Sequence, residues 1–324
     1  MTVITKADWL ANQPWLDLDS PDIRSYVEGL SEKVNFDLVA MLERWHRDGI
    51  VIFEGVVDHA LIDALIADID YLRKHHMDFT LEVELSGDQG DIKRLSREQL
   101  DSSGLKFNSI HSISMAAARL SLTREVSQFL SHVFRGPPCA LQSLTFYRGS
   151  QQPIHVDFPY VRCQTLLPHL AASWIPLEDI DPASGPLCYY PGSHRLEVSG
   201  MFDWGGGSIV LEPDSARQPH ELSEYLQKRV EDAGIAPVTF CPRKGDVLIW
   251  HGNLSHAGTL IADPSLTRKS YVTHYTSLQA YPPLHMKPGA PALGAIHSAH
   301  GGHVLEYPWL TEVRQLPSSK VLVA

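Results

Sequence analysis

Gln152-Pro153-Ile154-His155-Val156-Asp157-Phe158 reads as a short strand running into a turn. Side chains alternate faces along a strand, so His155 and Asp157, two residues apart, point to one side. An imidazole and a carboxylate converging on one point make two thirds of a facial metal triad. Two histidines and one carboxylate, with open positions opposite, are the usual holder of non-haem Fe(II). The third ligand must then come from a later strand that closes beside this one.

The stretch Gly245-Asp246-Val247-Leu248-Ile249-Trp250-His251-Gly252-Asn253-Leu254-Ser255-His256-Ala257-Gly258 offers two candidates, His251 and His256. Its Gly-Asp turn launches an apolar strand, which then loops into a segment of small residues. Beyond it come Arg268, Lys269 and Ser270. An arginine and a serine at spacing two share one face of a strand. A guanidinium clamps a carboxylate through two parallel hydrogen bonds, and a hydroxyl adds a further one. A metal triad followed by a carboxylate receptor in the same sheet suggests a dicarboxylate cosubstrate that chelates the metal at its far end.

The surrounding chain fits an enclosing barrel. Residues 1–34 are polar, with Pro14 and Pro21, and read as an irregular lead-in with short helical turns. The spacing of Phe36, Val39, Ala40, Leu42 and Trp45 predicts an amphipathic helix that stops near Asp48-Gly49. Ile50-Val51-Ile52-Phe53 is a short strand, and Asp58 caps a second helix carrying Leu61, Ile62, Leu65, Ile66, Ile69 and Leu72. Residues 76–110 are mixed and polar and read as an excursion or loop; a third helix is expected over residues 112–134. From Cys139 the pattern is strand-rich, with expected strands at Ala140–Tyr147, Leu170–Leu177, Leu187–Tyr190, Val238–Phe240, Asp246–Trp250 and Lys269–Thr276. Short strands between Gly/Pro turns point to a double-sheet jelly roll. A Gly-rich insertion at residues 200–235, with a helix around 218–232, is expected to cover the barrel mouth. Ser193-His194 reads as tight-turn chemistry, and His297, His300 and His303 lie in an aperiodic tail.

Composition narrows the function classes. The chain has 324 residues, 44% hydrophobic and 20% charged, an ordinary globular balance. A formal net charge of -11 argues against a general nucleic-acid or membrane-surface binder, since both want positive potential. The four cysteines are scattered and read as reduced, buried thiols. The N-terminus lacks signal-peptide character, and no apolar run approaches the roughly 18 residues that span a bilayer. The expectation is a cytoplasmic protein with no membrane insertion that acts on a small-molecule substrate.

In order and spacing, these landmarks resemble the phytanoyl-CoA dioxygenase-like Fe(II)/2-oxoglutarate-dependent oxygenases. The resemblance runs from about Phe36 to Ser277. It rests on His155 and Asp157, on Trp174-Ile175-Pro176-Leu177, on Gly185-Pro186-Leu187, and on Pro191-Gly192-Ser193-His194. Gly245-Asp246, His256, Arg268-Lys269 and His274-Tyr275 complete it. What it implies is a mainly β fold with flanking helices: a double-stranded β-helix, or cupin-like jelly roll, behind an N-terminal helical layer. It implies a single oxygenase domain over residues 1–324: helical layer and loop over 1–138, core over 139–278, tail over 279–324. It also implies Fe(II) on His155, Asp157 and His256, the last favoured over His251 by its interval to the arginine. Arg268, aided by Ser270, would hold the distal carboxylate of 2-oxoglutarate, with Trp174 beside the cosubstrate and Lys106 within reach of it. With O2, the expected reaction is hydroxylation of a C–H bond with release of succinate and carbon dioxide. The retained Asp157 favours hydroxylation over halogenation, and His274 is expected to point inward. The alternative is a cupin-like metal-dependent isomerase or dioxygenase that does not use 2-oxoglutarate. Arg148, Arg162 and Arg195 are candidates to meet an anionic group. Tyr147, Phe158 and Tyr160 are candidate pocket walls.

Overall fold

The computed structural model describes residues 3–161, 163, 166–282, 295–306 and 314–322. Two short helices, α1 (Lys6–Leu10) and α2 (Ile23–Glu28), lead in. Helix α3 (Leu38–Asp48) buries Leu38, Leu42 and Trp45 at helical spacing and ends at Gly49, which is left-handed with φ 72°. Only glycine fits there, because a Cβ would lie 2.5 Å from His194 Nδ1. Strand β1 (Ile50–Phe53) follows, then α4 (His59–Lys74), where Asp58 caps by accepting from the Ala60 amide.

Residues 76–110 depart from the expected loop. They form strands β2 (Glu82–Leu85), β3 (Asp88–Asp91) and β4 (Lys106–Asn108). Ser86 and Gly87, both with positive φ, make the two-residue hairpin turn between β2 and β3. The single helix expected over residues 112–134 is two, α5 (Met115–Ser121) and α6 (Arg124–Phe134), because Thr123 leaves the helical region with ψ 150°.

The remaining elements are β5 (Pro138–Phe146), β6 (Ala171–Pro176), β7 (Leu187–Tyr189), α7 (Ser193–Ser199), α8 (Pro219–Asp232) and β8 (Val238–Phe240). Then come β9 (Val247–His251), β10 (His256–Gly258), β11 (Ser270–Ser277), β12 (Ala295–Ala299), β13 (Gly302–Leu305) and α9 (Ser318–Val321). The large sheet runs β1-β9-β6-β11-β5-β4-β2-β3, with β13 added to β5 and paired with β12; the small sheet runs β10-β7-β8. Phe146, Trp174, Leu248, Trp250 and Val272 from the large sheet pack with Leu187, Tyr189 and Phe240 from the small one. This is the expected jelly roll. Alternate residues of the same strands, Ile175, Ile249, Tyr271 and Tyr275, face the helices and share a core with Leu42, Trp45, Leu65 and Phe129.

Three smaller readings change. Ser193-His194 opens helix α7, and the tail histidines lie on the β12–β13 hairpin and its turn. Cys241 is exposed, whereas Cys139, Cys163 and Cys188 are buried. Among the described residues, no helix is long and apolar enough to cross a membrane.

Between helices and sheet sits His111, buried, with Nδ1 2.7 Å from Ser143 Oγ. Burial pushes this imidazole from 6.5 down to about 4. The unfolded chain therefore takes up a proton as pH falls through 6.5, and the native chain does so only near 4. Stability is lost progressively across that window, by an amount on the order of 3 kcal/mol for this group. Urea unfolding at stepped pH should show the decline, and His111→Gln should flatten it by about one proton.

Candidate metal centre

His155 and His256 meet through a single antiparallel bridge. The His155 amide donates to the His256 carbonyl at 2.9 Å, and the His256 amide returns the bond at 3.0 Å. The expected strand around His155 is thus reduced to this one bridge, at the edge of the small sheet. The two rings stand 4.2 Å apart between centroids. Asp157 Oδ1 lies 3.6 Å from His256 Nε2 and 4.0 Å from His155 Nε2. One ligand atom from each of the three residues falls within 4.8 Å of the others, and no second such group of His, Cys, Asp or Glu occurs among the described residues. The tail histidines therefore make no metal cluster there.

The protonation states suit a cation. His155 Nδ1 sits 2.8 Å from the Pro153 carbonyl, and His256 Nδ1 sits 2.9 Å from the Leu254 carbonyl. A carbonyl only accepts, so each ring carries its proton on Nδ1 and leaves an Nε2 lone pair facing Asp157. Burial, then the neighbouring His256, push His155 down to about 3. Burial alone would raise the Asp157 carboxyl, but His256, His274 and His155 hold it well below the usual range. A neutral His155 imidazole thus stands beside an ionised carboxylate.

His251 is occupied elsewhere. It points to the opposite face of β9 from Trp250, with Nε2 3.1 Å from Asp17 Oδ2 and its Nδ1 accepting from the Asn253 amide. Strand parity separates the two candidates that the sequence left open.

Arg268 is buried at 2% exposure, and burial lowers its guanidinium to about 10. The group lies 5.5 Å from the Phe146 ring and 5.7 Å from the Trp174 ring. Among the described residues it has no carboxylate partner, and its Nε has no hydrogen-bond partner. Ser270 Oγ is likewise buried without a partner. Trp174 is paired with Val272 across β6 and β11, so it lines the same wall. Lys106 differs: its Nζ is 2.7 Å from Glu84 Oε1, so its charge is already matched, although it is close enough to depress His155.

Other expected side chains fall outside this constellation. Phe158, on the far side of the segment from Asp157, packs edge-on against Trp9 at 4.5 Å. Tyr147 lies between Arg73 and Lys269. Tyr160 is 40% exposed beside Trp204, with its phenol pushed up to about 12 by burial and the Asp157 charge. Arg148 donates to the Asp101, Pro264 and Leu266 carbonyls and so fastens loops. Arg195 donates to the His46 carbonyl, and Arg162 lies outside the described residues. The insertion lies behind the metal segment: Ile154 and Val156 pack with Phe202, Trp204, Leu222, Leu226 and Val230. Two contacts were not anticipated. Trp250 Nε1 donates to Asp157 Oδ2 at 2.8 Å, and Ser193 Oγ accepts from the Ser255 amide at 2.9 Å, next to His256. Strand parity with Leu248 would have pointed Trp250 inward.

A family model described as phytanoyl-CoA dioxygenase matches residues 45–261, well over half of the chain. The chain belongs to the phytanoyl-CoA dioxygenase family. Solved structures agree at the level of fold. EctD from S. alaskensis, determined with 2-oxoglutarate and 5-hydroxyectoine, superposes with a TM-score of 0.54 at 18% identity, covering 83% of each chain. The non-heme alpha ketoglutarate dependent epimerase SnoN from nogalamycin biosynthesis gives a TM-score of 0.51 at 17% identity, over 83% of this chain and 98% of its own. No curated protein matches the sequence.

Metal titration separates the two histidine candidates. His256→Ala should weaken Co(II) binding by more than the roughly 10–100-fold typical of losing a group behind the ligands. His251→Ala should bind Co(II) as the wild type does, yet lose about 3 kcal/mol of stability because Asp17 is left buried and unpaired. Equal metal loss in both would refute the assignment.

Proposed function

We propose that this member of the phytanoyl-CoA dioxygenase family is an Fe(II)- and 2-oxoglutarate-dependent oxygenase that hydroxylates a C–H bond of a small metabolite, natural-product or lipid-type substrate. The observation that carries the reading is the buried guanidinium of Arg268, which has no carboxylate partner among the described residues. An uncompensated buried charge costs several kcal/mol, so it is tolerable where an anion completes the site. A planar carboxylate fits the guanidinium fork, Ser270 Oγ offers a further hydrogen bond, and Trp174 and Phe146 wall the place off from water. A cupin-like isomerase, or a dioxygenase with no such cosubstrate, would leave Arg268 without a purpose.

The residues divide the work. His155, Asp157 and His256 hold the metal, and their Nδ1–carbonyl bonds keep the two imidazoles oriented. Bound there, Fe(II) couples oxidative decarboxylation of 2-oxoglutarate by O2, giving succinate and carbon dioxide, to oxidation of the substrate C–H bond. Arg268 and Ser270 fix the far carboxylate of the cosubstrate. Lys106 stays with Glu84 and contributes positive potential near His155. Strands from before residue 139 extend the sheet that contains β11, just after Arg268, which supports reading residues 1–324 as one oxygenase domain. The chemistry needs no membrane or nucleic acid, and a cytoplasmic location fits it.

Anaerobic addition of Fe(II) and then 2-oxoglutarate should give the visible charge-transfer band of a chelated 2-oxo acid. Arg268→Met should weaken 2-oxoglutarate by about 100-fold, roughly 3 kcal/mol, while metal affinity stays. Without 2-oxoglutarate the same variant should be as stable as the wild type or more so, by up to about 4 kcal/mol, because an uncompensated charge has gone. Metal binding with no band would favour the cosubstrate-free alternative. In a substrate screen by succinate release, a product that gains one oxygen atom supports hydroxylation, and a product of unchanged composition supports epimerisation.

A further inference from the structure

Resting on the metal reading above, we propose that Trp250 is a positioning residue that holds Asp157 as a one-oxygen ligand. The two carboxylate oxygens have different surroundings. Oδ1 faces the imidazoles, 3.6 Å from His256 Nε2 and 4.0 Å from His155 Nε2. Oδ2 faces away and receives the Trp250 indole N–H at 2.8 Å, with His274 Nε2 3.4 Å off. Gln142 Nε2 lies 3.3 Å from His274 Nδ1. With the amide donating there, the ring proton of His274 sits on Nε2, near Oδ2 but outside hydrogen-bond geometry.

An indole suits this task. Its N–H only donates and has no lone pair to offer a metal, so it occupies Oδ2 without competing for the cation. Trp250 also packs against the His256 ring at 5.1 Å between centroids, so one side chain touches two of the three metal-holding residues. It projects from β9 of the large sheet toward a carboxylate that lies beside the small sheet, and so fixes the site across the barrel. The contact is specific: buried Trp9, Trp45 and Trp204 leave their indole N–H groups without a partner among the described residues. A carboxylate free at both oxygens can chelate through both. With Oδ2 engaged, Asp157 presents Oδ1 alone and takes up one position, which leaves more of the metal's coordination sphere to exchangeable ligands.

Trp250→Phe keeps the ring packing and removes the N–H. Its affinity for Co(II) should fall by about 10–100-fold, in the range seen when a group behind a metal ligand is lost. The visible Co(II) spectrum should shift toward a higher coordination number as Oδ2 is released. Trp45→Phe, a buried tryptophan away from the site, should leave both readouts at wild-type values. A metal-free readout covers the case in which the metal reading itself fails. In 15N-indole-labelled apoprotein, the Trp250 N–H should be slow to exchange, and Asp157→Ala should move its resonance and make it labile. Wild-type Co(II) affinity and spectrum in Trp250→Phe overturn the proposal, and so does an indole proton indifferent to Asp157→Ala, whether or not metal binds. Absence of Co(II) binding in the wild type, with the indole proton responding, overturns the metal reading while sustaining the hold on Asp157.

Discussion

The structure turns on the two-way backbone bridge between His155 and His256. These residues come from distant parts of the chain, and a single pair of hydrogen bonds is weak by itself, about 1 kcal/mol net each. Its surroundings make it rigid. The Gly252 carbonyl accepts from both the Asp157 and Phe158 amides, which fixes the carboxylate-bearing end of the segment. Gly252 must be glycine, since a Cβ there would come within 2.8 Å of the Leu170 side chain. The Tyr190 amide donates to the Ser255 carbonyl, and Ser193 Oγ receives the Ser255 amide, so the residue before His256 is held on both polar groups.

Burial gives the site two opposite electrostatic states. Around Asp157, a desolvated charge is balanced by an indole N–H and by imidazole neighbours. Around Arg268, a desolvated charge of the other sign is left open. Both residues sit against the inner face of the same large sheet, and both are shielded by aromatic side chains, Trp250 on one and Trp174 with Phe146 on the other. In so dry an environment, a bound carboxylate would interact with Arg268 far more strongly than in water. The fold thus gives up stability at Arg268, a deficit that an anion bound there would offset.

Much of this was legible in the chain, because the decisive signals have a strict period. His155 and Asp157, and again Arg268 and Ser270, stand at the spacing of two that sends side chains to one face of a strand. The same parity assigns Trp250 inward and His251 outward. The sheet extension β2–β4 was not legible. Its residues Glu82, Glu84, Asp88, Gln89 and Asp91 are polar on positions where strands elsewhere in the chain are apolar, so the segment mimicked a loop. Its fate is decided by pairing of β4 with β5, a contact between segments distant in sequence. The break at Thr123 was hidden for the opposite reason: the apolar period continues across it, and only the backbone changes. Phe158 packs on Trp9, because the chain turns directly after Asp157 and sends the two neighbouring side chains apart.

The insertion shows why a metal segment with almost no strand partners can still be stiff. Ile154 and Val156 flank His155, and by alternation they face away from it. They pack against Phe202, Trp204, Leu222, Leu226 and Val230 from the insertion. Burying these two side chains stabilises by about 1.5–3 kcal/mol each, together more than the two bridge hydrogen bonds supply. The same short stretch therefore carries His155 and Asp157 on one face and a small hydrophobic core on the other. Residues 200–235, expected as a cover for the barrel mouth, contribute apolar side chains that back Ile154 and Val156 on either side of His155.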